Sequence, residues 1–379
     1  MAETNANTLA FLVHPRKVTF WLALGLLAVY GSLCAVLFLQ WMNPTLTGKS
    51  DQRIAADSGT YIYMADGLRD GRAEPWVYAA LASFPNTLWM PVFLAFAIPN
   101  TFCMAGLNLA IFGISIQLFR KTAAISTGLF VALLILNPIT TVSILSVNKE
   151  IVDLFAVAMF CFGLARKRKW IICAALFLSL LNRYEVCLAM MVLLFVQGRF
   201  NPLRKHRNVT IAIFVVLLTI LLPVFASQAL SSRFEEASNA GLIAALDGLE
   251  MHFLFFVAVL PKILEAIFGE LLNTSHWAQY STDDLANSYI LFLSNLAFLA
   301  AIVALIAKKQ FSIRSDWMYF TVLGAILMSV SLVIQPRYYY FCYVLICFQA
   351  AHRVHGGGYR ALSSTSAGEG YGNVWSHAD

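Results

Sequence analysis

The chain has 379 residues, 60% of them hydrophobic and only 12% charged, about half the charged share of a soluble domain. With a mean hydropathy of +0.72 and repeated apolar runs near the roughly 20 residues that cross a bilayer, this composition excludes a soluble core. It predicts one all-α domain, a polytopic transmembrane helical bundle. The net charge of +6 does not point to nucleic acid, because the cations fall in short clusters between apolar runs, as they do in cytoplasmic loops under the positive-inside rule.

In chain order, the first apolar run, 18–41, follows His14, Arg16 and Lys17. It is too long for a signal-peptide core and has no small-x-small cleavage site, which predicts an uncleaved signal anchor with a cytoplasmic amino terminus. A polar first outer loop, 42–76, comes next. Within it Asp57, Tyr61, Ala65 and Leu68 share one helical face, predicting a juxtamembrane amphipathic helix that lies along the membrane surface with Asp57 at its start. The stretch 77–98 contains Pro85 and Pro91 and ends at Pro99, and a full crossing here would return Arg120 to the wrong side. It is therefore predicted as re-entrant or interfacial helices.

Further spans are predicted over 101–119, 123–137, 151–165, 170–181, 186–197, 209–226, 289–307, 317–334 and 338–350, about ten crossings in all. A second outer loop, 227–288, holds an apolar stretch at 253–268, interrupted by Pro261 and Lys262 and predicted to lie against or dip into the membrane. The membrane domain thus covers 1–355, and the Gly- and Ser-rich segment 356–379 reads as a flexible cytoplasmic tail. All seven cysteines lie in or beside apolar segments and read as small buried hydrophobes.

This topology places four charged motifs on one outer face. They are Asp57 in Asp-Ser-Gly-Thr-Tyr, Lys149 with Glu150 in Asn-Lys-Glu, Arg183 with Glu185 in Asn-Arg-Tyr-Glu, and Arg337 in Gln-Pro-Arg-Tyr-Tyr-Tyr. Ionisable groups at a membrane edge are costly and mark functional candidates. Asp57 fits an N-cap, accepting a backbone N–H, or a general base that takes the proton of an attacking hydroxyl. Lys149 and Arg183 fit snorkelling side chains or ion pairs with their neighbouring carboxylates, and together with Arg337 they fit a basic pocket for a phosphate or pyrophosphate, with arginine supplying a bidentate fork. Tyr338, Tyr339 and Tyr340 fit an aromatic belt or a surface on which a sugar ring stacks. His252 and His276 have no paired ligand spacing, so no metal is assigned, no cofactor is expected, and nothing in the sequence supports a divalent cation.

With these motifs in hand, the chain resembles the GT-C superfamily of polytopic glycosyltransferases, which use polyprenyl-phosphate-linked sugars on the outer face of the membrane. The similarity rests on Asp57 followed by Tyr61, Ala65, Leu68 and Gly71, on Asn137-Pro138, and on Asn148-Lys149-Glu150. Asn182-Arg183-Tyr184-Glu185 and Arg337-Tyr338 add motifs that look like the later loops of bacterial exopolysaccharide and O-antigen polymerases. The resemblance implies that Asp57 is the catalytic carboxylate and that Lys149, Arg183 and Arg337 contact the lipid-phosphate leaving group, with Glu150, Glu185, Tyr61 and Tyr338 in support.

It further implies a lipid-linked sugar donor, a glycan or lipid acceptor, and other polysaccharide-assembly proteins as partners. The location it implies is a bacterial inner membrane, with the site facing the periplasm or cell exterior. Ser58 follows Asp57 where many members carry a second acid, which speaks against a metal-assisted mechanism, and no large soluble domain is appended. A transporter or flippase of an anionic lipid-linked substrate is the alternative, although no inverted repeat is visible and the charges gather at one face instead of the midplane.

Overall fold

The structure, a computed structural model, describes residues 56–82, 88–97, 101–198, 201–202, 205–237, 246, 248–250, 252–272, 285–330 and 336–353. The expected signal anchor, the tail and part of the second outer loop lie outside these, as does the side chain of Asp57. Among the described residues every element is helical. In chain order they are α1 (Ala56–Arg69), α2 (Pro75–Ala82), α3 (Trp89–Ala97), α4 (Thr101–Thr122), α5 (Thr127–Leu136), α6 (Pro138–Leu145) and α7 (Glu150–Ala165). There follow α8 (Lys169–Asn182), α9 (Tyr184–Gln197), α10 (Arg207–Ala237), α11 (Phe255–Leu272), α12 (Leu285–Ala307), α13 (Asp316–Met328), a 3-10 turn (Pro336–Tyr339) and α14 (Tyr340–Ala351).

Among the described residues two helices are long and apolar enough to cross a membrane: α4 through Cys103–Thr122, with a mean hydropathy of 1.4, and α12 through Ile290–Ala307, at 2.6. The pair α5 and α6, bent by 83° at Asn137, makes a third if taken as one span. Helix length therefore supports two or three crossings among the described residues and does not confirm the expected ten, of which the 18–41 run lies outside these residues. Helices α8 and α9 are apolar but have 14 residues each, a rise of about 21 Å against a hydrocarbon core of about 30 Å. The stretch 77–98 holds two short helices, α2 of 8 residues and α3 of 9. The stretch expected to dip into the membrane is a continuous helix, α11, with Pro261 inside it and Lys262 fully buried.

The break between α5 and α6 follows from Pro138. Asn137 is extended (φ −84, ψ 114), as a residue before proline prefers, and its side chain caps α6 by accepting from Ile139 N at 3.0 Å. Two carbonyls of α5 lose their helical donors there, and side chains replace them: Tyr343 OH donates to Leu133 O, and Thr140 Oγ1 donates to Leu134 O at 2.7 Å. Because that hydroxyl hydrogen is used, the Tyr340 hydroxyl, 2.9 Å from Thr140 Oγ1, is itself the donor between them. Non-helical backbone in an apolar bundle survives where protein re-satisfies it in this way.

Helix α14 is apolar on every side and buried along its whole length, as a helix without a polar face must be. Phe348 meets Phe119, Phe130 and Trp317, and Phe341 meets Phe320. Facing outward instead, α10 exposes Val209, Ile213, Val216, Leu217 and Ile220, and α8 and α9 expose Phe177 and Phe195. Helical apolar stripes left bare to this extent require an apolar surrounding.

The bundle has two chemically distinct ends. At one, Arg166 Nη2 donates to Lys121 O (3.1 Å), Arg353 N to Ala124 O, Lys308 Nζ to Ala350 O (2.8 Å) and Gln310 Nε2 to His352 O. Arg207 donates there to Ile313 O and Arg314 O and pairs with Asp316. The dispersed basic clusters therefore converge on one end, and α7 runs from it to Glu150 at the opposite end.

Candidate functional site

At the opposite end, α7 opens with Glu150 and Asp153, three residues apart and so on one helical face, each 1% exposed. Acids are favoured in a helix's first turn by the partial positive charge of its free N–H groups. Here they also meet a cation. Arg183 breaks the α8–α9 hairpin in an extended conformation (φ −154, ψ 101), and its guanidinium is turned inward.

Arg183 Nη2 lies 3.0 Å from Glu150 Oε1 and Nε 3.2 Å from Asp153 Oδ2, while Nη1 donates to Arg337 O at 3.1 Å. Beside it Asn182 Nδ2 donates to Asp153 Oδ1 at 2.6 Å and to Lys149 O at 2.8 Å. Glu185 adds its negative charge to the field at both Arg183 and Asp153. The ring of Tyr338 serves two cations, with Arg183 Cζ 5.1 Å and Arg337 Cζ 5.4 Å from its centroid.

Helix α1 joins the same end. Ser58 Oγ donates to Val147 O at 2.8 Å, and Lys149 Nζ lies 5.7 Å from the ring centroid of Tyr61. Asp57 is the second residue of α1, so its backbone sits beside the strip that carries Lys149. Tyr61 and Ala65 are buried against Val77, Val92, Ala95, Met104 and Val147. The face expected on the membrane surface is thus packed against protein, because α3 supplies the apolar partner that the surface reading assigned to lipid. Asn108 Nδ2 fixes the strip from beneath, donating to Ser143 O, Ile144 O and Ser146 O.

The structure therefore brings Lys149, Glu150, Arg183, Glu185, Arg337, Tyr338 and Tyr61 together, with the α1 backbone at Asp57 alongside. It changes their charge balance. The sequence count of three cations to two adjacent carboxylates omits Asp153, which makes the numbers equal. Arg183, 5% exposed, is committed to the carboxylates, whereas Lys149 and Arg337 are half-buried at the rim. Asp153 and Asn182 were missed as site residues. The signal that finds Asp153 is its three-residue spacing from Glu150 inside an otherwise apolar helix.

Three acceptors here, Glu150 Oε2, Asn182 Oδ1 and Glu185 Oε2, are buried without a hydrogen-bond partner among the described residues. Leaving such atoms unpaired costs about 1–3 kcal/mol each, and each suits a hydroxyl donor from a ligand. No group of three or more His, Cys, Asp or Glu among the described residues is arranged to hold a metal ion. A second ionic pair, also missed, lies behind the 3-10 turn: Lys262 Nζ is 2.7 Å from Glu250 Oε1, with Lys262 wholly buried, and Glu250 is within electrostatic reach of Tyr339. Compared with protein-family models, curated proteins and solved structures, the chain finds no match.

Proposed function

We propose that this protein is a polytopic membrane glycosyltransferase of GT-C type that moves a sugar or glycan from a polyprenyl phosphate or diphosphate to a glycan or lipid acceptor. The proposed setting is a bacterial inner membrane, with the basic end cytoplasmic and the Arg183 end facing outward. The observation that carries this reading is the docking of the Asp57-bearing helix, through Ser58 and Val147, onto the strip that holds Lys149 beside Arg183 and Arg337.

In this reading Asp57 takes the proton of an acceptor hydroxyl as its oxygen bonds to the anomeric carbon. The carbon–oxygen bond to the carrier phosphate breaks, and the charge released on the phosphate is held by Lys149 and Arg337. Fixed cations in a water-poor site stabilise such charge more strongly than in water. Arg183 becomes a positioning residue, since Glu150 and Asp153 occupy its fork. The unpaired acceptors of Glu150, Asn182 and Glu185 take sugar hydroxyls. Reconstituted protein given a labelled undecaprenyl-linked sugar should form a new glycosidic product; Asp57→Asn should abolish it and Arg337→Gln should lower it about 10²-fold, both with membrane expression intact. Full activity in Asp57→Asn removes the proposed base.

One observation favours transport instead: the α5–α6 break at Asn137, where Ser294 Oγ of α12 lies 3.1 Å from Asn137 Oδ1, resembles the discontinuous helices that line transporter sites. The same liposomes decide it, since movement of the labelled lipid across the bilayer without product favours a flippase.

A further inference from the structure

At the basic end, a cleft of about 740 Å³ opens between α7 and α8, lined by Phe162, Arg166, Arg168, Trp170 and Ile171. Two arginines share it with three apolar side chains, and Trp170 is 68% exposed at its mouth. Arg166 Nη2 donates to Lys121 O, which draws in a second basic turn. Between them the segments 120–122 and 166–170 hold Arg120, Lys121, Arg166, Lys167, Arg168 and Lys169 and no acid.

Helix α7 ends with Lys167 N donating to Leu164 O and Arg168 N to Gly163 O, the paired bonds that normally place glycine at the left-handed position. Lys167 occupies that position at φ 54. The same closure uses glycine after α1, Gly71 at φ 65, and lysine again after α12, Lys309 at φ 55. Lys167 completes four consecutive cations here. The N-terminus of α8, at Lys169, faces the same lip and favours an anion.

We infer that this cleft binds the phosphate headgroup of an anionic phospholipid, with Arg166 and Arg168 on the phosphate and Phe162, Trp170 and Ile171 against the glycerol and upper acyl chain. Basic pockets between membrane helices recognise anionic headgroups in this way, and aromatic side chains sit at headgroup depth. A free phosphate has no use for the apolar half of the lining.

Trp170 provides the reporter. The full chain is reconstituted in phosphatidylcholine vesicles that contain a minor fraction of brominated phosphatidylglycerol or brominated phosphatidylcholine, and the Trp170 signal is the difference from Trp170→Phe. Half-maximal quenching is expected at about five-fold less phosphatidylglycerol than phosphatidylcholine. Arg168→Gln should remove most of that preference, and so should Lys167→Gly, which relaxes the turn and so cannot act by unfolding it. Lys309→Gln, in a separate basic turn, should leave it unchanged. Coincident curves for the two lipids overturn the site, as does an undiminished preference in both cleft variants. Release of the quenching by inorganic phosphate, but not by chloride of equal ionic strength, would make it a free-phosphate site and also overturn the proposal.

Discussion

Arg183 donates a hydrogen bond to the main-chain carbonyl of Arg337 across 154 residues of sequence, at 3.1 Å. The α8–α9 hairpin tip and the turn before α14 are thereby held together, and the same guanidinium bridges Glu150 and Asp153. Replacing Arg183 by Met leaves two buried carboxylates facing each other, which should cost about 3–5 kcal/mol in unfolding measured in detergent. Adding Glu150→Gln and Asp153→Asn should recover much of that loss. A triple variant as unstable as the single one would show that the charges are not what Arg183 stabilises.

The rim cations should behave differently. Lys149→Gln and Arg337→Gln remove half-exposed charges, so each should change stability by under about 1 kcal/mol. Transfer from a lipid-linked donor should nevertheless fall about 10²-fold in a steady-state assay. Unchanged transfer in both variants would take the phosphate away from this rim.

Ser58→Ala should separate docking from chemistry. It leaves Val147 O buried without its donor, a loss of about 1 kcal/mol, and frees the start of α1 from the Lys149 strip. Limited proteolysis between α1 and α3 should become faster, and transfer should fall although Asp57 is untouched. Wild-type activity alongside faster cleavage would mean that α1 does not hold the base.

Packing of α14 offers a test that does not depend on any activity. A Cβ on Gly324 would lie 2.5 Å and 2.6 Å from two ring carbons of Phe341, in a part of the core with no room to yield. Gly324→Ala should therefore destabilise by about 1–3 kcal/mol, and a second change, Phe341→Leu, should relieve a large part of it. A thermal scan of the three variants in one detergent measures this coupling.

Much of the bundle is legible in the sequence because helical periodicity and basic clusters are local signals. The spacing of Tyr61, Ala65 and Leu68 marks a real helix, and the clusters at Lys121, Arg166, Arg207 and His352 do meet at one end. What the spacing cannot carry is the identity of the partner, which is why the buried face of α1 reads as lipid-facing although α3 covers it. Asp153 and Lys262 escape for a related reason. Each looks like a blemish in an apolar run until the fold brings Arg183 from 30 residues away, or Glu250 from 12. Crossing number is the least legible quantity: the polar interruption at Arg183 shows where the run 170–197 divides, but apolar composition alone counts its two 14-residue helices as crossings.

The elbow at Asn137 carries a consequence for biogenesis. The hydroxyls that satisfy it, Tyr340 and Tyr343, belong to α14, some 200 residues later in the chain. During synthesis the elbow must wait inside the membrane or the translocon with one carbonyl, Leu133 O, bare. Its final shape is set only when α14 arrives. Truncating the chain before Tyr340 should therefore leave a protein that inserts but stays open at its middle, a ready substrate for membrane quality-control proteases.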